Sequence, residues 1–322
     1  MQVTKRKRRH KVIGLGPIVE GMIDKIFLSS ALLAPACGGM AIHSLSQGDL
    51  LLAGGFVLAG VLAGVGVHAR FVTPFRIATR SLRLTDSSDQ RALLRVCFFS
   101  DLHLGEFKRA SWAQRVVEVV NGLSPDVILI GGDFVGRTSC CDLAALLAPL
   151  RNLRARYGVF SVLGNHDCGL PGPDHTEALL TLLPQLNIRV LRNECVCIAD
   201  RLRVVGVDEL WADRSDLAGA LAHCPSTVTR TIVLCHNPDL MLDVQEFHPE
   251  LAGQDLVFLF GHTHHGQIHL PFLPKLGVPI RSQFYRGLYR TPFGTVYVSA
   301  GLGENSTPTR LNTQPEVVLI EL

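Results

Sequence analysis

Five apolar runs rich in β-branched and aromatic residues recur in the last two thirds of the chain, and each leads into a cluster of metal-binding residue types. The runs cover residues 96–99, 127–130, 158–163, 231–235 and 256–260. The clusters are Asp101-Leu102-His103, Gly132-Asp133, Gly164-Asn165-His166-Asp167, His236 and Gly261-His262-Thr263-His264. Runs of this composition predict buried strands. Because an open α/β sheet places its ligand crevice at the carboxyl ends of its strands, the pattern predicts an α/β fold with one shared site.

The residue types indicate a pair of divalent cations. Two ions about 3.5 to 4 Å apart clamp the attacking and leaving oxygens of a phosphoryl displacement and make water reactive at neutral pH. Holding both ions requires a shared ligand, and a carboxylate with two charged oxygens is suited to that role. Asp133 is the candidate bridge. Neutral imidazoles and a carboxamide oxygen would complete the two coordination spheres.

This ordered set resembles the calcineurin-like metallophosphoesterase superfamily, and the resemblance covers residues 95–322. It implies an αββα sandwich of two packed sheets with helices outside. The implied first metal position is formed by Asp101, His103, Asp133 and His264, and the second by Asp133, Asn165, His236 and His262. His166 would donate a proton to the leaving group or stabilise the transition state. The resemblance favours two Mn²⁺ ions, while mixed nitrogen and oxygen ligands also suit iron or zinc.

Four further side chains are candidate substrate contacts. Arg137 follows the bridging aspartate by four residues, and a guanidinium can bind two phosphate oxygens. His265 and Gln267 continue the last metal loop. Arg286 lies in the apolar and aromatic stretch of residues 268–293, which either lines a groove for acyl chains or touches the bilayer, or else packs over the core.

The first ninety residues form a separate unit. Residues 5–11 are densely basic, residues 26–42 and 50–67 are uncharged and apolar, and four arginines follow between residues 70 and 83. Each apolar stretch is near the lower length limit for a membrane-spanning helix. We therefore predict a basic N-terminus, helical hairpin and connector over residues 1–90 and a catalytic domain over residues 91–322.

Positive charge flanks both outer ends of the predicted hairpin, which places both ends, and the catalytic domain, on the cytoplasmic side of a bacterial inner membrane. Two alternatives remain open. Pro35, Gly38 and Gly39 weaken the first span, which could be re-entrant or interfacial. Arg8-Arg9 could instead belong to a twin-arginine export signal. Eight cysteines after residue 90 lack a disulfide or zinc spacing, and we expect reduced thiols in the cytoplasm.

A two-metal phosphoesterase tethered to a membrane predicts a lipid-linked phosphate as substrate. The chain also resembles membrane-associated branches of the family, including chlamydial-type UDP-2,3-diacylglucosamine pyrophosphatases. That resemblance implies release of UMP and 2,3-diacylglucosamine 1-phosphate for lipid A synthesis. The alternatives are a general membrane-attached phosphodiesterase or phosphatase, and a non-catalytic metal-binding scaffold. The modest net charge of +3 is concentrated at the amino end and favours anionic lipid over nucleic acid. The oligomeric state is left open.

Overall fold

The computed structural model describes residues 17–85, 93–105, 107–137, 142–222, 224, 230–270 and 278–322. The basic run of residues 5–11 and residues 271–277 of the 268–293 stretch lie outside these ranges. The helices are α1 (Pro17–Ser46), α2 (Leu50–Phe71), α3 (Ala110–Gly122), α4 (Leu143–Leu147), α5 (Thr176–Gln185), α6 (Leu217–Ala222) and α7 (Leu240–Phe247). The strands are β1 (Ala78–Arg83), β2 (Arg95–Phe99), β3 (Val127–Ile130), β4 (Val159–Ser161), β5 (Ile188–Val190), β6 (Glu194–Ile198), β7 (Leu202–Gly206), β8 (Arg230–Leu234), β9 (Leu256–Phe260), β10 (Gly287–Thr291), β11 (Gly294–Val298) and β12 (Glu316–Glu321).

The strands form two six-stranded mixed sheets, as the α/β prediction requires. The first has the order β1-β12-β2-β3-β4-β5 and the second the order β10-β11-β9-β8-β7-β6. In the first sheet β2, β3, β4 and β5 are parallel, and in the second β7, β8, β9 and β11 are parallel. Each of the five predicted runs contributes a strand to one of these parallel sets. The carboxyl ends of their strands therefore carry all five ligand clusters.

The side chains of each central strand alternate between two apolar cores. In β2, Val96 and Phe98 point between the sheets, where they share a core with Val204 and Leu259 of the second sheet. The intervening Cys97 and Phe99 pack with the helices α3, α4 and α5 on the outer face. A matching outer core joins the second sheet to α6 and α7. Because both faces of these strands are buried, their sequences are continuously apolar, and the layers are helix, sheet, sheet and helix.

The two apolar stretches form longer helices than their sequences predict, and they pack as a hairpin. Helix α1 continues through Pro35. The close packing uses small residues, since a Cβ built on Gly66 would lie 2.8 Å from Ser30 Oγ. Near the open end of the hairpin, Arg70 Nε donates to Asp24 Oδ1 over 3.0 Å. Both helices are long and apolar enough to cross a bilayer, and only 11% of the apolar stretch in each helix is buried.

Two expectations from the sequence need correction. Residues 78–83, assigned to the basic connector, form the edge strand β1, which pairs in parallel with β12 and joins the first sheet. Cys195 and Cys224, expected as reduced thiols, form a disulfide with Cα atoms 5.6 Å apart. The two cysteines are 29 residues apart in the chain. They meet because the chain that follows α6 passes next to the edge strand β6. The division of the chain at residue 90 stays a prediction.

Candidate metal centre

The predicted ligands lie on tight loops at the carboxyl ends of β2, β3, β4, β8 and β9. Five of them, Asp101, His103, Asp133, His262 and His264, adopt left-handed backbone conformations with φ between 44° and 70°. Such conformations are unfavourable for residues other than glycine and persist where the surroundings enforce them. Their concentration on these loops indicates that the fold sustains strain in order to aim these side chains at one point.

The first predicted metal position is formed by atoms from the β2 and β9 loops. His103 Nε2 lies 3.0 Å from His264 Nε2. Asp101 Oδ1 lies 3.5 Å from His264 Nε2 and 3.8 Å from His103 Nε2. Donor atoms that share an ion at about 2.1 Å are themselves roughly 3.0 to 3.5 Å apart. The two spacings that involve His264 fall in this range, and the 3.8 Å spacing between Asp101 and His103 is slightly longer.

Asp133 lies between the two predicted positions. Its Oδ2 is 3.5 Å from His103 Nε2 on one side and 3.2 Å from His236 Nε2 on the other. Its Oδ1 accepts a hydrogen bond from the backbone amide of His166 over 2.8 Å, which fixes the plane of the carboxylate. A Cβ at Gly164 would lie 2.1 Å from this oxygen, so glycine is needed for the close approach. The arrangement suits a bridging carboxylate.

The second position collects around a carboxamide oxygen. Asn165 Oδ1 is 2.7 Å from His262 Nδ1 and 3.1 Å from His236 Nε2. His236 Nδ1 donates to the carbonyl oxygen of Gly131 over 2.7 Å, which directs Nε2 into the cluster. The backbone amide of His262 in turn donates to Asp101, so the two positions share their supporting loops.

The electrostatics of the cluster fit a cation. Burial lowers the pKa of His262 to about 3 and holds that of His264 well below its usual value, so both imidazoles are neutral. Burial acts to raise the pKa of Asp101 and Asp133, but the imidazoles that face them hold both carboxyls well below their usual range. The strongest pairing is between Asp133 and His236, since the carboxylate overcomes the effect of burial and raises the pKa of His236 to about 10. Two buried carboxylates surrounded by imidazoles are a donor set that divalent transition metals prefer.

His166 is beside the cluster, as expected for a group acting on substrate. Its ring centroid is 5.0 Å from that of His103. Its Nδ1 lies 3.1 Å from the carbonyl oxygen of Pro171, which accepts a hydrogen bond and leaves Nε2 for other partners. Burial lowers its pKa to about 4, opposed in part by the nearby Asp133.

The four predicted substrate contacts differ in placement. Arg137 is exposed, and its charge contributes to the lowered pKa of His166, which places it near the cluster. His265 is instead buried, with Nε2 at 2.7 Å from the carbonyl oxygen of Val298. Gln267 donates to Thr307 O over 2.6 Å and so ties down the 305–307 loop.

Arg286, the fourth predicted contact, lies on the partly buried approach to β10, and no contact joins its side chain to the ligand cluster among the described residues. In the surrounding stretch, Phe284 is buried, with its ring centroid 5.1 Å from that of Tyr289. These described residues pack over the second sheet. Residues 271–277, which include part of the predicted groove, lie outside the described residues.

Two residues near the cluster were missed from the sequence. Glu209 is fully buried, and burial raises its pKa to about 7, with its Oε1 unpaired in the part of the chain described. Trp211 is half-buried with its indole edge-on to His262 at 4.5 Å between ring centroids. Both follow β7, a parallel strand of the second sheet, so the rule used for the other loops could have found them.

Comparisons with known proteins agree with this geometry. A family profile described as calcineurin-like phosphoesterase matches residues 94–266, more than half of the chain. The chain is 29% identical over 279 residues to the uncharacterized metallophosphoesterase YkuE of Bacillus subtilis (strain 168), with 84% of this chain and 93% of that protein covered. It is 31% identical over 245 residues to phosphodiesterase YaeI of Escherichia coli (strain K12), covering 74% and 86%. It is 32% identical over 246 residues to a transmembrane protein with metallophosphoesterase domain from Bos taurus, covering 71% of this chain and 53% of that protein.

Proposed function

This chain belongs to the calcineurin-like phosphoesterase family and is a metal-dependent phosphoesterase, and from that premise we propose that it hydrolyses a lipid-linked phosphate or pyrophosphate at a membrane surface. The two apolar helices and the similarity to a transmembrane relative support membrane association. The single observation that carries the lipid proposal is the short distance between the end of α2 and the metal centre.

That distance follows from a few contacts. Lys108 Nζ donates over 2.6 Å to the carbonyl oxygen of Pro74, three residues after α2 ends. His103 precedes Lys108 by five residues, and Gly105 N donates to Lys108 O over 2.7 Å, so this loop turns back on itself. Even an extended chain of five residues spans at most about 18 Å. Only this short loop and the Lys108 side chain therefore separate the centre from the point where α2 would leave a bilayer.

Exposed aromatic side chains mark the same end of the molecule. Phe71, Phe75 and Phe107 are 42%, 41% and 38% exposed. Aromatic rings are enriched where a helix meets the headgroup layer. A catalytic centre at that level would act on a phosphate held in the headgroup layer and would not require extraction of the acyl chains.

The chain's own residues supply binding and proton transfer. Bound divalent ions would supply Lewis acidity at the phosphoryl group and make water acidic enough to attack at neutral pH. Asp101, His103 and His264 would hold the first ion, Asn165, His236 and His262 the second, and Asp133 both. His166 Nε2 would exchange a proton with the leaving oxygen. An anionic substrate would raise the pKa of His166 and so favour its protonated form, because the opposite charge stabilises the imidazolium.

The lead substrate is UDP-2,3-diacylglucosamine, which requires the catalytic domain to face the cytoplasm of a bacterial inner membrane. The charged flanks of the hairpin support that placement. A second candidate is a general membrane-attached phosphodiesterase acting on other envelope lipids or nucleotides. The Cys195–Cys224 disulfide favours this alternative, because disulfides persist mainly outside the reducing cytoplasm.

A substrate panel tests the proposal with the full chain in detergent and Mn²⁺. The panel contains UDP-2,3-diacylglucosamine, UDP-N-acetylglucosamine as its chain-free counterpart, and bis(4-nitrophenyl) phosphate. Release of UMP from the lipid at a much higher rate than from the soluble nucleotide supports the lead. Equal rates would refute lipid selection and favour the general phosphodiesterase. Asp133→Ala should abolish turnover of every compound, which controls for contaminating enzymes.

A further inference from the structure

The strand-end loop after β11 forms a backing for the first metal position. We call residues 300–304 the backing loop. Its Gly301 has φ of +67°, and a Cβ there would lie 2.7 Å from the Cβ of Asp101. A Cβ at Gly303 would lie 2.7 Å from the Cβ of His103. Leu302 N also donates to the carbonyl oxygen of Asp101 over 3.2 Å. Two of the first position's ligands therefore rest on this backbone, and a shift of the loop would displace them.

A single guanidinium holds the backing loop in place. Arg310 is fully buried and donates from Nη1 to Ala300 O over 2.9 Å and from Nη2 to Gly301 O over 3.1 Å. Nη2 also donates to Gly303 O, and Nε donates to Glu304 Oε1 over 3.0 Å. The planar fork of arginine satisfies three carbonyls and one carboxylate at once, which a lysine ammonium on a flexible stem cannot reproduce.

The same residue is attached to the membrane hairpin. The backbone amide of Arg310 donates over 2.9 Å to the carbonyl oxygen of Ala69, in the last turn of α2. Glu304 makes a second connection, since its Oε2 lies 3.5 Å from Lys108 Nζ. That ammonium in turn binds Pro74 O just beyond α2. The end of α2 and the backing loop are thus joined through two adjacent buried paths.

Aromatic rings enclose the second path. Lys108 Nζ lies 4.0 Å from the ring centroid of Phe75 and 3.7 Å from that of Trp112. Phe75 belongs to the segment after α2, whereas Trp112 belongs to α3 of the catalytic domain. A desolvated ammonium between two rings gains cation–π attraction, because the negative faces of the rings attract the charge. The cluster therefore fixes the hairpin to the domain at a definite position.

We propose that Arg310 is a positioning residue that couples the docking of α2 to cation affinity at the first metal position. Disturbing the junction should weaken binding at Asp101, His103 and His264. The second position should lose much less affinity, because the backing-loop contacts described above fall on Asp101 and His103, whereas the second position depends on Asp101 only through the His262 amide. This inference goes beyond the proposed function and does not depend on which phosphate compound is hydrolysed.

The test measures metal binding directly, with the full chain in detergent. Equilibrium dialysis and electron paramagnetic resonance would follow two-step Mn²⁺ binding in Arg310→Lys, with Arg203→Lys as the control. Arg203 is a partly buried arginine whose Nε contacts Thr231 Oγ1 in the second sheet. We expect Arg310→Lys to weaken one binding step about 10-fold or more, as loss of ligand-supporting contacts commonly does. The Mn²⁺ affinity of the other step, and of both steps in the Arg203→Lys control, should change by less than about 2-fold.

A second variant isolates the path from α2. Phe75→Leu leaves the backing loop intact and removes one ring from Lys108. We expect it to weaken the same step as Arg310→Lys, by a smaller factor. Because coupling is reciprocal, saturating Mn²⁺ should slow hydrogen exchange at the Arg310 amide, which donates to Ala69 O.

Three results would overturn the proposal. Equal weakening of both steps in Arg310→Lys would indicate general destabilisation. Unchanged Mn²⁺ binding in Phe75→Leu, together with unchanged exchange at the Arg310 amide, would show that α2 is not coupled to the site. Unaltered binding in a folded Arg310→Lys, with melting as the check on folding, would remove the positioning role.

Discussion

Replacing Cys195 and Cys224 together by alanine is expected to lower the free energy of unfolding of the catalytic domain by roughly 3 to 4 kcal/mol. The figure follows from the 29-residue separation of the bonded cysteines. A cross-link reduces the entropy of the unfolded chain by an amount that grows with the logarithm of the number of residues in the enclosed loop. The enclosed segment carries β7, Glu209 and Trp211, so its order bears on the second metal position.

Urea unfolding of the full chain in detergent, followed by tryptophan fluorescence, measures this effect. With a urea dependence of about 3 kcal/mol per molar, the midpoint should fall by about 1 M in the double variant. Wild type treated with reductant should fall by a similar amount. Cys197→Ala is the matched control, since Cys197 lies on the same edge strand as a free thiol. The urea midpoint of Cys197→Ala should stay close to that of the wild type.

The refuting result is equally clear. Peptide mapping of protein isolated from its native host, alkylated without reductant, should recover Cys195 and Cys224 as a linked pair. Recovery of both as alkylated thiols, together with a midpoint that does not respond to reductant, would disprove the bond. That outcome would also restore the cytoplasmic placement as the better supported one, whereas a linked pair favours an oxidising compartment.

Two further predictions concern residues beside the metal centre. Burial raises the pKa of Glu209 from 4.5 to about 7. Between these pH values the native metal-free domain keeps a proton on Glu209 that the unfolded chain has lost. The free energy of unfolding should therefore fall by about 3 kcal/mol as the pH rises from 4.5 through 7. Glu209→Gln should flatten that decline in a pH series of urea titrations, and an unaltered slope would contradict the assignment. Trp211 lies edge-on to His262, so binding of paramagnetic Mn²⁺ should quench its fluorescence. The chain has two tryptophans, and Trp211→Phe should remove most of the quenching; equal quenching in the variant, which retains Trp112, would show that the ion binds elsewhere.

The strand-and-loop pattern was predictable because each run is locally self-sufficient. A short, continuously apolar run predicts a central strand that is buried on both faces. The ligands follow each such run directly in the sequence. Helix α3 also follows from a local pattern, because apolar residues recur at helical spacing over residues 109–123 and the helix spans Ala110–Gly122. The spacing over residues 141–157 by itself favours one longer helix, but α4 ends at Leu147 and a 3-10 turn containing Pro149 follows. A proline near the end of a short helix favours such a turn.

The candidate substrate contacts show where local reasoning fails. His265 follows a metal ligand in the sequence, but the left-handed turn around it directs its ring toward Val298, away from the cluster. Gln267 is similarly used to hold a neighbouring loop. Position next to a ligand does not determine the direction of a side chain, because one change in φ reverses it.

The sequence by itself determined the residue types at the strand ends, the two-metal chemistry they can support and the presence of an apolar helical pair. Only the tertiary structure decided the edge strand β1, the Cys195–Cys224 bond and the burial of Arg310 between the backing loop and α2. These features join residues tens to hundreds of positions apart. Their formation depends on how the two sheets and the hairpin pack, and no local pattern in the chain encodes that packing.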